Sequence, residues 1–476
     1  MASLGPDERS SLLPRSISPP SNKDFTFNIW RDLGLLTRRT IPICLSFALQ
    51  NAVQAISAVI AGSLGSFELE VTSYGFMFLS CTGTMLAIGG STALDTLGGQ
   101  VFTSEAATEN PEILGLLLQQ CVLVLLVIFG IFIIPLWVCS GYIFMALGQE
   151  QEFAFATGRF MIVMIPAGIL QVLAECLKKF LQVQGASYAV GWVTLTASTA
   201  GVVTTLLIVR CMELALWGVP AVFGMYQLFT AVLLLWQIFH TPSIRNTWRG
   251  SIAGMTKGLP RLFSYAATGI LTIATEWWSF EILAMMAARL DKDSIGAQSI
   301  LMSSDLLFTT VSLGISVAAS HRIGGLLGAD QGSLAKKAVV TPFLLSLIIG
   351  SLEFIVIMLV RGYYGRLFTD EQSVIEKTAQ VLPLMAGFQV LDLSNGGAGG
   401  ILRGASKNHL SGLCNLIGYY GVGLTSAWFL CFQKRYGLFG LWAGIITGSG
   451  ALLVLQSCCI LSISWKELSR EISHST

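Results

Sequence analysis

Residues 262–288 read LFSYAATGILTIATEWWSFEILAMMAA, an apolar run that contains two acids, Glu276 and Glu281. A helix of about 20 apolar residues crosses the hydrocarbon core of a bilayer. An ionised acid at the centre of such a helix costs about 2.5 to 3.5 kcal/mol, so acids there usually face a cavity, a partner or an ion. The stretch therefore predicts a membrane helix with a functional carboxylate.

Similar runs recur along the chain, of which 53% is hydrophobic and only 12% charged. This composition excludes a soluble domain, and the alternation of a membrane β-barrel is absent. We predict an all-α integral membrane protein with twelve transmembrane helices. The other spans are Thr40–Leu64, Ser73–Leu97, Leu114–Ser140, Phe153–Leu177, Ala186–Val209, Leu214–Phe239, Ile295–Ser320, Ala338–Arg361, Val374–Gly400, Leu410–Phe432 and Leu438–Ser464.

An internal repeat divides the chain into two halves of six helices. Leu181–Ser187 follows the fourth span as Gly400–Ser406 follows the tenth, and Leu216–Val219 opens the sixth as Leu438–Leu441 opens the twelfth. Six spans per half give both halves the same direction, so an axis along the membrane normal relates them. We expect six-helix bundles at 40–239 and 262–465, with substrate between them near the midplane.

The remaining segments are predicted to be cytosolic: an N-terminal tail at 1–39, a linker at 240–261 and a C-terminal tail at 466–476. Nineteen of the 28 Lys and Arg residues fall on the side of the chain ends and nine on the other side. The positive-inside rule therefore places both termini in the cytosol.

Within the N-terminal tail, Glu8, Leu12 and Leu13 match an acidic dileucine signal, by which cytosolic adaptors sort membrane proteins to vacuoles or lysosomes. An inert tail is the alternative. We expect a multi-pass protein of a vacuolar or lysosomal membrane or of the plasma membrane.

Several segments together resemble the eukaryotic branch of the multidrug and toxic compound extrusion family, over roughly Thr40 to Trp465. They are Leu45–Gln54, Gly62–Gly65, Ala93–Gln100, Glu175–Gln184, Glu276–Glu281, Gly296–Ser299, Ala318–Gly324, Gly399–Gly404 and Gly418–Gly421. The resemblance implies a V-shaped pair of six-helix bundles and a secondary transporter. It also implies export of organic cations or amphipathic compounds, in exchange for protons or, in some relatives, sodium.

By that resemblance, Glu276 and Asp392 are the central acids for substrate and proton handling. Burial in a low dielectric disfavours the charged form of a carboxyl group, whereas a bound cation favours it. Proton and cationic substrate can then compete for one carboxylate, which is the minimum basis for exchange. Relatives tend to have an acid where this chain has Ser303, but Asp305 follows two positions later, and Glu353 has no role that the family supplies.

Other residues are candidates for the same site. Glu281 is turned about 140° from Glu276 on an undistorted helix, so it tunes Glu276, contacts another helix or is a paired interior acid. Trp277 and Trp278 offer faces that attract cations, or they pack and anchor the helix. The remaining candidates are Asn395, one turn after Asp392, and Gln50 and Gln54, which share a face of the first helix.

Weaker polar residues receive structural interpretations. Asp95 is expected to cap or cross-link the second helix, Glu175 with Lys178 and Lys179 to form a cytosolic charge cluster, and His321 to be exposed beside Arg322. The run Gly396–Gly400 lacks the Lys-Ser/Thr ending and the strand of a phosphate loop, so we expect close helix packing there.

These observations favour a transporter over other classes of membrane protein. The four histidines and ten cysteines form no metal-ligand pattern, and no nucleophile with a base is evident, which argues against a lipid-modifying enzyme. A scaffold would not need acids in two spans. We expect no cofactor, no metal and no nucleic-acid partner. The alternative to a proton-coupled exporter is a sodium-coupled carrier, or a lipid or metabolite carrier, of the same superfamily.

Overall fold

The computed structural model describes residues 27–212, 215–248, 256 and 258–475, and the part of the chain so described contains helices and no strands. Inside a bilayer a segment must satisfy its own backbone groups, which helices do. Nine of the described helices combine the length and apolar composition that a membrane span requires.

Twelve long helices follow the predicted spans. In the first half they are α1 (Ile29–Leu64), α2 (Ser66–Thr103), α3 (Ile113–Val138), α4 (Gln151–Val183), α5 (Ser187–Met212) and α6 (Ala215–His240). In the second half they are α7 (Leu259–Ala287), α8 (Lys292–Gly328), α9 (Gly332–Leu367), α10 (Gln372–Gly404), α11 (408–433) and α12 (Gly437–Leu461).

Two departures concern the chain ends. Residues 29–39 form the first turns of α1 rather than a tail, because Asn28 caps the helix and the buried Asp32 is paired with Arg322. The predicted C-terminal tail contains an amphipathic helix, α13 (Trp465–Ser475), whose Leu468 and Ile472 are buried against α8 and α9. The proposed sorting residues Glu8, Leu12 and Leu13 lie outside the described residues.

Three helices contain π-helical segments, which widen the helix locally and often occur at functional sites. α2 has two, Ser80–Thr84 and Leu94–Gly98, and the second contains Asp95. α3 has one, Phe129–Ile133, and α11 has two, Leu416–Leu424 and Phe429–Gln433. These segments re-aim side chains that a regular helix would place elsewhere.

The buried apolar residues divide by half. One cluster fills α1 to α6 together with Leu262 and Ala266 of α7, while two others belong to α7 to α13. A fourth cluster joins the halves through α1, α2, α7 and α8, including Ile43, Ile88 and Ile315. The molecule therefore consists of two helical lobes that meet mainly along these four helices, with further contacts from α9 and α10.

Polar contacts between the lobes concentrate at the end of the molecule where α1 begins, here called the terminal face. Gln100 Nε2 donates to Gly404 O over 2.8 Å, and Thr103 Oγ1 donates to Gly325 O over 2.9 Å. Arg322 of α8 contacts Asp32 of α1 at 2.5 Å. In this conformation the lobes are closed against each other at the terminal face.

Candidate functional site

The centre of the C-terminal lobe is built on an unusually close approach of α8 and α10. Gly396, Gly400 and Gly404 of α10 face Ser312, Ser316 and Ser320 of α8, one helical turn apart on each side. A Cβ at position 400 would lie 2.2 Å from Ser316 O. The predicted close packing of the glycine run is confirmed, and it brings Asp392 and Asn395, on the same helix, into the interior.

A cavity of about 40 Å³ lies between α7, α8, α10, α11 and α12. It is lined by Thr272, Ile273, Glu276, Ser312, Leu313, Ser316, Asp392, Asn395, Gly396, Gly399, Arg403, Ser411, Asn415, Tyr419, Leu452 and Gln456. That volume holds a few water molecules or a small ion, whereas sites for drug-sized ligands occupy about 300 to 1,000 Å³. In this conformation the cavity therefore has room for water molecules or a small ion but not for a drug-sized ligand.

Amide side chains hold the walls of this cavity together. Asn395 Nδ2 donates to Ser449 Oγ over 2.8 Å and so ties α10 to α12. Asn415 Nδ2 donates to Thr272 O over 3.1 Å and ties α11 to α7 one turn before Glu276. The position of Glu276 relative to Asp392 is therefore set by hydrogen bonds from neighbouring helices.

Four buried polar atoms of the lining residues have no hydrogen-bond partner among the described residues: the acceptors Asp392 Oδ2, Asn395 Oδ1 and Gln456 Oε1, and the donor Arg403 Nε. Buried polar atoms are nearly always satisfied in native proteins. A proton, an ammonium group or another cation would satisfy the three acceptors. The cavity is thus chemically suited to positive charge.

Further carboxyl groups surround the cavity. The negative charges of Asp392 and Asp305 both act on Glu276, and that of Asp392 acts on Glu353 of α9. Asp305 is buried and accepts from Gln389 Nε2 over 2.7 Å, whereas Ser303 faces outward. Asp305 is therefore one of the interior acids. Its position in the sequence did not show whether its side chain would be buried.

The other candidates do not line the cavity. Glu281 faces the other lobe, where its Oε1 accepts from Cys81 Sγ at 3.5 Å. Trp277 packs in the cluster between the lobes, and Trp278 is 46% exposed, with its Nε1 donating to Cys81 O. Gln50 accepts from Lys178 Nζ over 3.1 Å on the N-terminal lobe, and the half-buried Gln54 lies one turn further along α1.

Two interpretations of weaker residues are wrong. His321 is 5% exposed, and its Nε2 lies 2.8 Å from Asp95 Oδ1 of the other lobe, because the close contact of α8 with α2 covers it. Lys178 and Lys179 are buried rather than part of a solvated cluster. Lys178 pairs with the buried Glu175, and Lys179 Nζ lies 2.8 Å from Asp95 Oδ2. Asp95 does cross-link helices, as expected.

Sequence reasoning missed several polar residues of the cavity, among them Arg403, Asn415, Tyr419 and Gln456. Arg403 is one of the nineteen basic residues that predict the orientation and lies in the Gly399–Gly404 segment, but it is 8% exposed. Asn415 and Tyr419 share one face of a helix by their spacing of four, which was an available signal. The others lack any local pattern that would separate them from ordinary interior polar residues.

A two-lobed bundle of membrane helices with an acid-lined interior cavity defines a multispanning transporter. The profile of the MatE family matches residues 42–207 and 269–429, and the chain belongs to this family of multidrug and toxin extrusion proteins.

Among its relatives, an uncharacterized transporter of Schizosaccharomyces pombe is 31% identical over 92% of this chain and 81% of its own length. Human multidrug and toxin extrusion protein 1 is 27% identical over 88% of this chain and 73% of its own length. The crystal structure of the eukaryotic MATE transporter AtDTX14 superposes with a TM-score of 0.87. It is 24% identical and covers 94% of this chain and 99% of its own, which supports the two-lobe, twelve-helix fold.

Proposed function

We propose that this protein is a secondary transporter that exports organic cations, drugs or amphipathic metabolites in exchange for protons, by alternating access. The observation that carries the proposal is the buried cavity of the C-terminal lobe. It combines Glu276 and Asp392 with unpartnered acceptor atoms and excludes drug-sized ligands in this conformation. The names of several relatives, which describe multidrug and toxin extrusion, support the class of cargo.

In this mechanism Glu276 and Asp392 bind protons in one state of the cycle and release them in the other. Burying an ionised carboxylate costs free energy, and a bound proton removes that cost because it neutralises the group. A cation beside the carboxylate compensates its charge and has the same effect. Because either one suffices, proton and substrate alternate at the same acids. The small cavity volume requires the lobes or helices to move apart before a large cation enters.

The test is proton flux in vesicles that contain the purified protein, with a panel of aromatic cations, an imposed pH gradient, and sodium present or absent. We expect substrate-dependent proton release that is indifferent to sodium. Glu276→Gln should abolish it, and Asp392→Asn should reduce it and change its pH dependence, with folded protein at normal levels. The exposed Glu152 provides the matched control, Glu152→Gln, which should transport normally.

Each alternative has its own outcome in this assay. Exchange that requires sodium would replace proton coupling with sodium coupling. Retained exchange in Glu276→Gln would remove the assignment of that residue. No flux with any cation from a folded preparation would direct the search to lipid or metabolite cargo.

We further propose that both termini are cytosolic and that Glu8, Leu12 and Leu13 direct the protein to a vacuolar or lysosomal membrane through a sorting adaptor. The excess of basic residues on the side of the chain ends supports the orientation. The double variant Leu12→Ala/Leu13→Ala should then move a fluorescently tagged protein to the plasma membrane. An unchanged location would leave the segment as an inert tail.

A further inference from the structure

Arg403 lies between the acid cavity of its own lobe and the contact that joins the two lobes. It lines the cavity with Glu276 and Asp392, and its Nη2 donates to Ser316 Oγ over 3.3 Å. Its Nη1 lies 3.8 Å from Oδ2 of Asp95, which belongs to the other lobe. Arg403 Nε has no hydrogen-bond partner among the described residues. One buried guanidinium group is therefore shared by acids on two sides.

On the interlobe side, Arg403 is the weakest of three partners of Asp95. Lys179 Nζ and His321 Nε2 both lie 2.8 Å from the oxygens of Asp95. The 3.8 Å separation from Arg403 exceeds hydrogen-bond distance, so this contact has room to tighten. On the cavity side, the charge of Glu276 acts on Arg403. The position of the guanidinium depends on the balance between these two attractions.

We propose that Arg403 is a positioning residue that couples the charge of Glu276 to closure of the lobes at the terminal face. An ionised Glu276 attracts Arg403 toward the cavity and away from Asp95. When Glu276 is neutralised, that attraction is lost and Arg403 tightens onto Asp95, which holds the lobes together. This inference rests on the proposed function only in taking a proton or cationic substrate as the species that neutralises Glu276.

The charged and titratable groups around Arg403 determine how the idea must be tested. Asp95, Lys179 and His321 lie on the interlobe side, and Glu276 and Asp392 line the cavity with Arg403. Protonation of His321 would itself strengthen its contact with Asp95 and close the lobes. The charge of Glu276 is therefore changed by substitution at constant pH and not by titration.

Closure can be measured with an engineered disulfide across the terminal face. A Cβ built on Gly325 would lie 3.6 Å from Thr103 Cγ2 and 3.9 Å from Gly99 O, which are ordinary contacts. Thr103 Cγ2 is bonded to Cβ as the sulfur of a cysteine would be, so a sulfur at position 103 can reach a cysteine at position 325. The variant Thr103→Cys/Gly325→Cys should therefore cross-link when the lobes are closed, and its rate of oxidation reports the closed population. Single-cysteine variants measure the background from native thiols.

In the Thr103→Cys/Gly325→Cys background, Glu276→Gln should raise the rate of cross-linking about 2- to 10-fold, the lower part of the range of energetic coupling between neighbouring groups. Arg403→Gln should abolish that increase, whereas Arg403→Lys, which keeps the charge, should retain part of it. Glu152→Gln should have no effect.

An unchanged rate in Glu276→Gln would overturn the proposal even if Arg403→Gln fails to fold. An equal increase in the cross-linking rate in the presence of Arg403 and in the Arg403→Gln variant would also overturn the proposal. The cross-linking measurement needs no substrate. If it shows the increase that depends on Arg403 while the vesicles show no proton flux, only the proposed cargo or coupling ion is contradicted.

Discussion

Asp95 is a buried carboxylate that contacts several basic side chains. It is fully buried, and its oxygens contact Lys179 of the same lobe and His321 of the other lobe. Burying an ion pair in the protein interior costs desolvation free energy. Removing one partner is more destabilising still, because the other charge stays buried without compensation. Asp95 therefore contributes to stability mainly by keeping Lys179 paired.

We expect Asp95→Asn to destabilise the protein by up to about 3 to 5 kcal/mol, the cost of leaving one member of a buried pair. Thermal unfolding of the purified protein in detergent should show a lower midpoint than wild type. Lys179→Met in the same chain should recover much of the loss, because the buried ammonium group is then no longer present without its partner. A midpoint equal to that of Glu152→Gln would contradict the argument.

Asp291 is a contrasting acid outside the membrane-spanning segments, at the N-terminus of α8. A hydrogen bond from Lys377, followed by one from Ser294, lowers the pKa of Asp291 to about 2. Because the folded pKa lies below the ordinary value of about 3.9, the pair stabilises the fold above pH 4. That contribution is lost as the pH falls toward 2.

We therefore expect Asp291→Asn to cost less than about 1 kcal/mol at pH 7, since the pair is exposed to solvent. The difference from wild type should shrink between pH 4 and pH 2, as measured by unfolding midpoints across that range. A difference that appears only between pH 5 and pH 8 would show that another group is responsible.

At the scale of elements, the packing of α8 on α10 decides where the site residues stand. The glycines at 396, 400 and 404 let the two backbones meet, and small residues at such contacts are typical of helix packing in membranes. The same face of α8 supplies Ser312 and Ser316 to the cavity. Widening this contact would therefore move Asp392 and Arg403 relative to Glu276.

Gly400→Ala should reduce both the yield of folded protein and transport, because the new Cβ would lie 2.2 Å from Ser316 O. Gly387→Ala is the matched control on the same helix, since no atom lies within 4 Å of its Cβ. That control should be neutral or stabilising by up to about 1 kcal/mol, as expected for Ala in place of Gly within a helix. Equal behaviour of the two variants would show that the α8–α10 contact is not limiting.

At the scale of the whole molecule, the lobes are joined at the terminal face by polar contacts that the proposed alternating access must break. Asp32 with Arg322, Gln100 with Gly404 and Thr103 with Gly325 all lie there. Movement of one lobe against the other is the expected way for such a repeat to expose its site on two sides.

The oxidised pair Thr103→Cys/Gly325→Cys should therefore stop exchange in vesicles, and reduction should restore it. Both single-cysteine variants should transport equally under oxidising and reducing conditions. Full exchange by completely cross-linked protein would mean that the lobes do not separate at the terminal face during transport.

The sequence by itself determined the class of fold and most of the helices. Long apolar runs have no other stable form in a bilayer, and the repeat separated the two halves. A charge in an apolar run is conspicuous, which pointed to Glu276 as a candidate, and the family resemblance added Asp392. The sequence could not distinguish Glu281, which faces the other lobe, from Glu276, which lines the cavity, because that distinction depends on contacts between helices.

Only the tertiary structure decided which polar residues meet. His321 and Arg403 look like parts of basic loops in the chain, but the approach of α8 and α10 to α2 buries both beside Asp95. The cavity likewise draws on five helices, and its unpartnered acceptors exist only once those helices pack. Helix formation depends on neighbours along the chain, whereas burial and pairing of charges depend on contacts between residues far apart in sequence.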